Sequence, residues 1–229
     1  MNHIQSQLAE IRERINAAAI SVGRSPDEVT LVAVSKTFPV EDIMTAYQAG
    51  QRVFGENRIN ELIEKVPALS DDIEWHMIGH LQSNKAAKAI ELASCIHSAD
   101  SVKLINRLDR LAGEQGGATR VLLEINISGE ESKHGAVCSE AAVLAEAAAA
   151  CTNIKTVGLM TMAPYGVPEV ELRQIFGRLR HLRDRLEAST GMQLPELSMG
   201  MSGDFEAAIK EGATLVRVGS AIFGNRNYL

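Results

Sequence analysis

Leu31-Val32-Ala33-Val34-Ser35-Lys36-Thr37 reads as a buried strand that ends in a lysine: five apolar or small residues precede a side chain that strands rarely bury. Side chains alternate along a strand, so Val32, Val34 and Lys36 share one face while Leu31, Ala33 and Ser35 share the other. If the first set faces the interior of a barrel, Lys36 emerges at its mouth. On the strand alone the plainer reading is stronger, a lysine stem lying along the strand end with its ammonium in water.

Outward from this stretch the chain alternates. Ile4, Leu8, Ile11, Ile15 and Val22 recur at helical spacing, which predicts an amphipathic opening helix over 4–22. Strands are expected at 30–36, 52–55, 73–79, 94–98, 120–127, 154–161, 196–199 and 214–218. Helices are expected between them, with Pro39 in a first turn, Gly50 just past an end, and Asp100 or Ser101 as an N-cap. Strand–helix alternation implies a parallel sheet with right-handed crossovers. Eight such units in about 200 residues fit a single α/β domain, 1–229, folded as a (β/α)8 TIM-type barrel with an extra N-terminal helix. The alternative is an open doubly wound sheet, but Lys36-Thr37-Phe38-Pro39 after the first strand lacks the dinucleotide glycines.

Composition bounds the function. The chain of 229 residues is 45% hydrophobic but only 4% aromatic, so its core must be aliphatic. A formal charge of −6 disfavours nucleic acid, whose phosphates need a basic face. Cys95, Cys138 and Cys151 show no metal-ligand spacing and fit a reducing compartment. The N-terminus lacks a signal-peptide pattern and no apolar run reaches membrane-span length. The expectation is a soluble cytoplasmic protein.

In a barrel, chemistry gathers at the C-terminal ends of the strands, and phosphate sits most often in the loops after strands 7 and 8. Ser198-Met199-Gly200-Met201-Ser202-Gly203 and Val218-Gly219-Ser220-Ala221 fall there. Glycines allow close backbone approach, serines offer hydroxyls, and a following helix start offers N–H groups. Asp204 complicates the first seat, since its charge must face away from an anion. On the last strand Leu215, Arg217 and Gly219 share one face, and the apolar Val216 and Val218 claim the outer one, leaving Arg217 inside. A buried arginine needs acceptors, either a carboxylate such as Glu124 or Glu56, or a ligand. Lysine, phosphate seat and inward arginine together suggest a phosphorylated aldehyde held as a Schiff base. His76 and His80 stand four apart on a strand without an acidic ligand, His97 reads as a core histidine, and Lys133 as a solvated loop charge.

At this point the chain resembles the pyridoxal phosphate homeostasis proteins. The resemblance spans essentially the whole sequence. It rests on Val32-Ala33-Val34-Ser35-Lys36, Phe54-Gly55-Glu56-Asn57, Trp75-His76-Met77-Ile78-Gly79-His80-Leu81-Gln82-Ser83-Asn84-Lys85, the segment Glu124 to Gly135, Gly158-Leu159-Met160-Thr161-Met162, Ser198 to Ser202, and Val216-Arg217-Val218-Gly219-Ser220-Ala221-Ile222-Phe223-Gly224. It implies a barrel like the N-terminal domain of alanine racemase, with pyridoxal 5′-phosphate carried on Lys36. It further implies that Ser202, Gly219 and Ser220 hold the phosphate, that Arg217 faces the pyridine nitrogen, and that Asn57, Met160 and Met201 lie near the cofactor. Some members differ at His80 and Arg58, positions that fall beside the site and leave the lysine and phosphate motifs intact.

Arginine only donates, so a ring nitrogen facing Arg217 stays unprotonated and the ring is a weak electron sink. The chain ends at Leu229 soon after its eighth strand, and neither Tyr47, Tyr165 nor Tyr228 is evidently placed as a second acid/base group. The expected function is therefore to hold, buffer and hand over pyridoxal phosphate, as a monomer, with apo-forms of cofactor-requiring enzymes as recipients and little or no catalysis. The alternatives are a minimal amino-acid racemase or decarboxylase, and a barrel that uses Lys36 on a sugar phosphate.

Overall fold

The computed structural model describes residues 2–130 and 132–224; Glu131 and Tyr228 lie outside them. Nine strands occur among the described residues: β1 (Thr30–Val34), β2 (Val53–Glu56), β3 (Glu74–Met77), β4 (Cys95–Ala99), β5 (Thr119–Asn126), β6 (Ala136–Val137), β7 (Ile154–Met160), β8 (Glu196–Ser198) and β9 (Leu215–Val218). Eight of them close on one another, all parallel, in the order β1-β2-β3-β4-β5-β7-β8-β9, with β9 pairing back onto β1. This is the (β/α)8 barrel expected from the alternation. β6 is a two-residue extra that lies beside the end of β5.

The two-residue period sorts side chains into two cores. Val32, Cys95, Leu122, Val157, Met160 and Leu215 pack inside the barrel. Leu31, Ala33, Val216 and Val218 join the larger core between strands and helices. The alternation read in β1 and β9 is thus the one the structure adopts, and the register sets Val32 beside Arg217 and Ala33 beside Val218.

Helices α1 (His3–Ile20), α2 (Val40–Gln48), α3 (Ile59–Lys65), α4 (Ala86–Leu92), α5 (Val102–Gln115), α6 (Ala141–Ala149), α7 (Glu169–Thr190), α8 (Phe205–Lys210) and α9 (Ser220–Phe223) surround the barrel. The last of these is a single turn. The N-terminal α1 packs against α2, α8 and α9 and so completes the outer ring where α9 is too short to do so. It buries Ile4, Leu8, Ile11 and Ile15 as their spacing predicts, but it stops at Ile20 and leaves Val22 exposed. Ser101 caps α5 by accepting from the Leu104 N–H.

Boundaries moved where backbone geometry overrode pattern. β1 ends at Val34, two residues before Lys36. Arg58 keeps extended backbone, so α3 begins only at Ile59. Asp204 is likewise non-helical, and α8 begins only at Phe205. Among the described residues no helix is long and apolar enough to cross a membrane.

Candidate functional site

A cavity of about 1090 Å³ opens at the C-terminal ends of the strands. Lys36, Asn57, Glu124, Met201, Ser202, Arg217, Gly219 and Ser220 all line it. Seven of these eight were singled out as binding residues from sequence. The eighth, Glu124, entered only as a partner for Arg217. Met160 is buried in the barrel interior instead, and at this strand end Met162 reaches the cavity wall.

Lys36 is half-buried, and its two neighbours are clamped. The Lys65 ammonium, itself buried, donates to the Ser35 carbonyl at 2.9 Å, to Glu56 at 2.7 Å and to Glu61 at 2.7 Å. The Ser35 hydroxyl donates to the same Glu56 oxygen, and the Thr37 N–H donates to Glu61 at 2.6 Å. Thr37 sits at φ +68°, a left-handed conformation that β-branched residues adopt only when held there. The cluster therefore fixes the backbone on both sides of Lys36. Burial pushes Glu56 up to about 7 even with Lys65 beside it. Glu61 is also raised by burial, but Lys65 and the Thr37 N–H more than offset this and hold it below the ordinary value.

Sequence reading passed over Lys65. Its one signal is the spacing of four from Glu61 on a helix, which reads as a surface pair. Only the packing of α3 beneath the β1 loop shows that this pair is buried.

Arg217 is 4% exposed, and its acceptors are neutral. It donates to the Ser198 hydroxyl and, at 2.9 Å, to the Thr161 carbonyl. The internal ion pair with Glu124 or Glu56 is replaced by these two bonds, because Glu56 is taken by Lys65. Burial pulls Arg217 down to about 10, with Glu124 and Asp204 opposing.

In the phosphate-seat region the Gly219 and Ala221 N–H groups both turn toward Ser202 Oγ, at 3.3 and 3.4 Å. These two amides thus belong to Gly219 and the first turn of α9 rather than to the start of α8. Asp204 does line the cavity; its carboxylate accepts from the Met201 N–H, and burial raises it. Two glycines shape the walls. Gly200 has φ +92°, and a Cβ there would lie 2.6 Å from Ala208 Cβ. A Cβ on Gly79 would lie 2.2 Å from the Asn57 carbonyl oxygen, so glycine lets the chain bearing Asn57 pass.

Glu124 is 3% exposed, and its Oε2 has no hydrogen-bond partner among the described residues. Burial, then the charge of Asp100, pushes it from 4.5 up to about 7. The folded chain therefore keeps this proton between 4.5 and about 7 while the unfolded chain releases it, so stability falls as pH rises through that window. The shift corresponds to about 3 kcal/mol at its upper end. Glu124→Gln, with no proton to lose, is expected to recover most of that at pH 8 and to flatten the stability–pH curve; chemical denaturation at pH 5 and 8 checks it.

Other candidates fall elsewhere. His80 stacks on His134 at the rim, 4.4 Å between ring centroids. Lys133 is mostly buried and paired with Glu130, not freely solvated. Tyr47 donates to Asp72, and Tyr165 is fully exposed at the cavity rim. His97 is a core histidine, as expected. Neither metal spacing nor periodicity predicts that His76, Cys95 and His97 place their ligand atoms within 4.8 Å of one another inside the barrel.

A closed parallel barrel with a lysine just past its first strand and an inward arginine on its last defines a class. The family model described as alanine racemase, N-terminal domain, matches residues 6–227. Within that class the chain belongs to the pyridoxal phosphate homeostasis protein family. It is 42% identical over 223 residues to the pyridoxal phosphate homeostasis protein of Aquifex aeolicus (97% of this chain, 98% of that one). It is 40% identical over 237 residues to the protein of that name from Escherichia coli K12 (100% and 99%). PipY of Synechococcus elongatus PCC7942, solved with PLP bound, shares the fold at TM-score 0.86 and 39% identity, over 96% of this chain and 100% of PipY.

Proposed function

We propose that this chain is one barrel domain that binds pyridoxal 5′-phosphate covalently through Lys36, holds it out of bulk solution, and releases it to apo-enzymes that need it. One observation carries the reading: Lys36 and Arg217 line the same cavity as two backbone N–H groups turned toward Ser202. The donor set fits the group. An aldehyde requires an amine, a phosphate requires inward amides and hydroxyls, and a pyridine nitrogen accepts from a donor. The structural relative solved with PLP bound supports the same assignment.

Bound pyridoxal phosphate supplies an electrophilic aldehyde and a ring that can withdraw electrons. Lys36 would hold the aldehyde through Nζ, the nucleophilic amine on the cavity wall. Ser202, Gly219 and Ser220 would hold the phosphate, and Asn57, Met201 and Met160 would lie near the ring. Arg217 would donate to the ring nitrogen; a guanidinium is no proton source at neutral pH, so it would leave that nitrogen unprotonated and weaken electron withdrawal. Racemisation needs an acid/base group on each face of the substrate. Of the described tyrosines, Tyr47 is engaged with Asp72 and Tyr165 points into solvent. We therefore assign binding and delivery rather than turnover, in a cytoplasmic monomer.

The test is the visible spectrum of the purified protein incubated with pyridoxal phosphate, before and after borohydride, with peptide mass mapping. A reducible band and a pyridoxyl mass on Lys36 are expected. A protein that takes up none would sink the proposal and return Lys36 to the sugar-phosphate reading. Deuterium incorporation at Cα of alanine in heavy water is expected to run no faster than with free pyridoxal phosphate; faster exchange would favour the racemase alternative.

A further inference from the structure

The barrel interior of this protein is threaded by a file of polar groups that the function above does not use. Arg217 donates to Ser198 Oγ. Ser198 Oγ lies 2.9 Å from His97 Nδ1, His97 Nε2 lies 2.9 Å from His76 Nδ1, and His76 Nε2 lies 3.1 Å from Glu74. Glu74 is the first residue of β3, at the opposite end of the barrel from the cavity, where Arg120 holds it at 2.8 Å. His76, His97 and Ser198 are all essentially inaccessible to solvent.

The two ends dictate the direction of every bond between them. An arginine only donates, and an ionised carboxylate only accepts. A hydrogen bond from His76, with Arg120 adding its charge, holds Glu74 below the ordinary carboxylate range. His76 must then carry its proton on Nε2 and accept at Nδ1. His97 in turn carries its proton on Nε2 and accepts at Nδ1, so the Ser198 hydroxyl donates downward and its oxygen faces Arg217 as an acceptor. With one N–H on each imidazole every donor in the file has an acceptor. The reverse order would send two donors onto Ser198 Oγ and leave its own buried hydrogen without one.

The cluster with Cys95 is not a better fit to an ion. Two nitrogens of one tetrahedral zinc stand roughly 3.3 Å apart, and these imidazoles have closed on each other at 2.9 Å.

We propose that His97 and His76 are positioning residues: with Glu74 as anchor, they fix the Ser198 hydroxyl so that the Arg217 guanidinium is held with its remaining donors toward the cavity. This rests on the cofactor reading for its consequence, since Arg217 is the group assigned to the ring nitrogen. The far mouth of the barrel thereby sets the environment of the bound cofactor without touching it.

Imidazole nitrogen NMR on the cofactor-free, histidine-labelled chain tests the file directly, with His76→Gln and His97→Gln assigning the signals. Both buried histidines are expected as the Nε2–H form; an Nδ1–H form at either overturns the proposal. Ser198→Ala and His97→Gln are then titrated with pyridoxal phosphate. Each is expected to shift the absorption maximum of the bound cofactor and weaken uptake about tenfold. Folded variants with wild-type spectrum and affinity would overturn the positioning role. If the wild-type chain takes up no cofactor, the function fails, while the tautomers still decide the file.

Discussion

Lys36→Ala is expected to abolish covalent attachment of pyridoxal phosphate: no band that borohydride removes, and no pyridoxyl mass on any peptide. Among the described residues Lys36 is the one lysine on the cavity wall. The neighbouring ammonium groups are engaged elsewhere, Lys65 with Glu56 and Glu61, and Lys133 with Glu130 and the Met162 carbonyl. The phosphate and ring contacts proposed above survive the substitution, so weak reversible uptake should persist. Loss of the covalent bond is expected to weaken retention by about 100-fold, or about 2.7 kcal/mol. Equilibrium dialysis gives the affinity, and thermal melting controls for folding. A reducible adduct that persists in the variant at wild-type level would place the reactive amine elsewhere and remove the basis of the function.

How much of this was legible in the sequence depends on how local the determining physics is. The eight barrel strands and their order follow from alternation, and the inward faces of β1 and β9 follow from the two-residue period. Val216 and Val218 claim the outer core, which forces Arg217 inward whatever else it does. The glycine and serine loops after β8 and β9 follow from residue type and topological position. What escaped was set by contacts between distant segments. Ser198 reads as a strand residue before a loop, and nothing in its neighbourhood announces that it lies between an arginine 19 positions away and a histidine 101 positions away. Glu124 was visible as a carboxylate on a buried strand, but its freedom from Arg217 depends on Ser198 and Thr161 supplying the acceptors instead. Met160 packs inside the barrel, since a motif match does not give the depth of each side chain along β7. The strand containing Lys36 also read two residues too long: β1 pairs with β2 only as far as Val34, and the chain then turns through the left-handed Thr37.

That turn is held by Lys65, and Lys65→Met should show it. The substitution removes the ammonium and leaves Glu56, which is completely buried, facing the Ser35 hydroxyl alone. Breaking one half of a buried pair typically costs about 3–5 kcal/mol. Glu56 can relieve part of this by keeping a proton. Its folded value, already about 7 against an ordinary 4.5, can only move further up without Lys65. A carboxyl raised in the folded state holds its proton where the unfolded chain has lost it, so stability declines as pH rises through the gap. The share of the Lys65→Met penalty that falls on Glu56 should therefore be small near pH 5 and reach its full size near pH 8, while the loss to the ionised Glu61 is present at both, so the penalty grows with pH, a trend that denaturant titrations at the two values measure. Adding Glu56→Gln should restore much of the stability at pH 8 while leaving the Ser35 carbonyl without its Lys65 donor and Glu61, which holds the Thr37 N–H, without its cation. Cofactor uptake in the double variant then separates folding from positioning. A stable double variant with impaired uptake means that the cluster exists to hold the Lys36 loop. Wild-type uptake would mean that Thr37 keeps its left-handed turn without the clamp, and that the buried charges serve only the packing of α3 on the barrel.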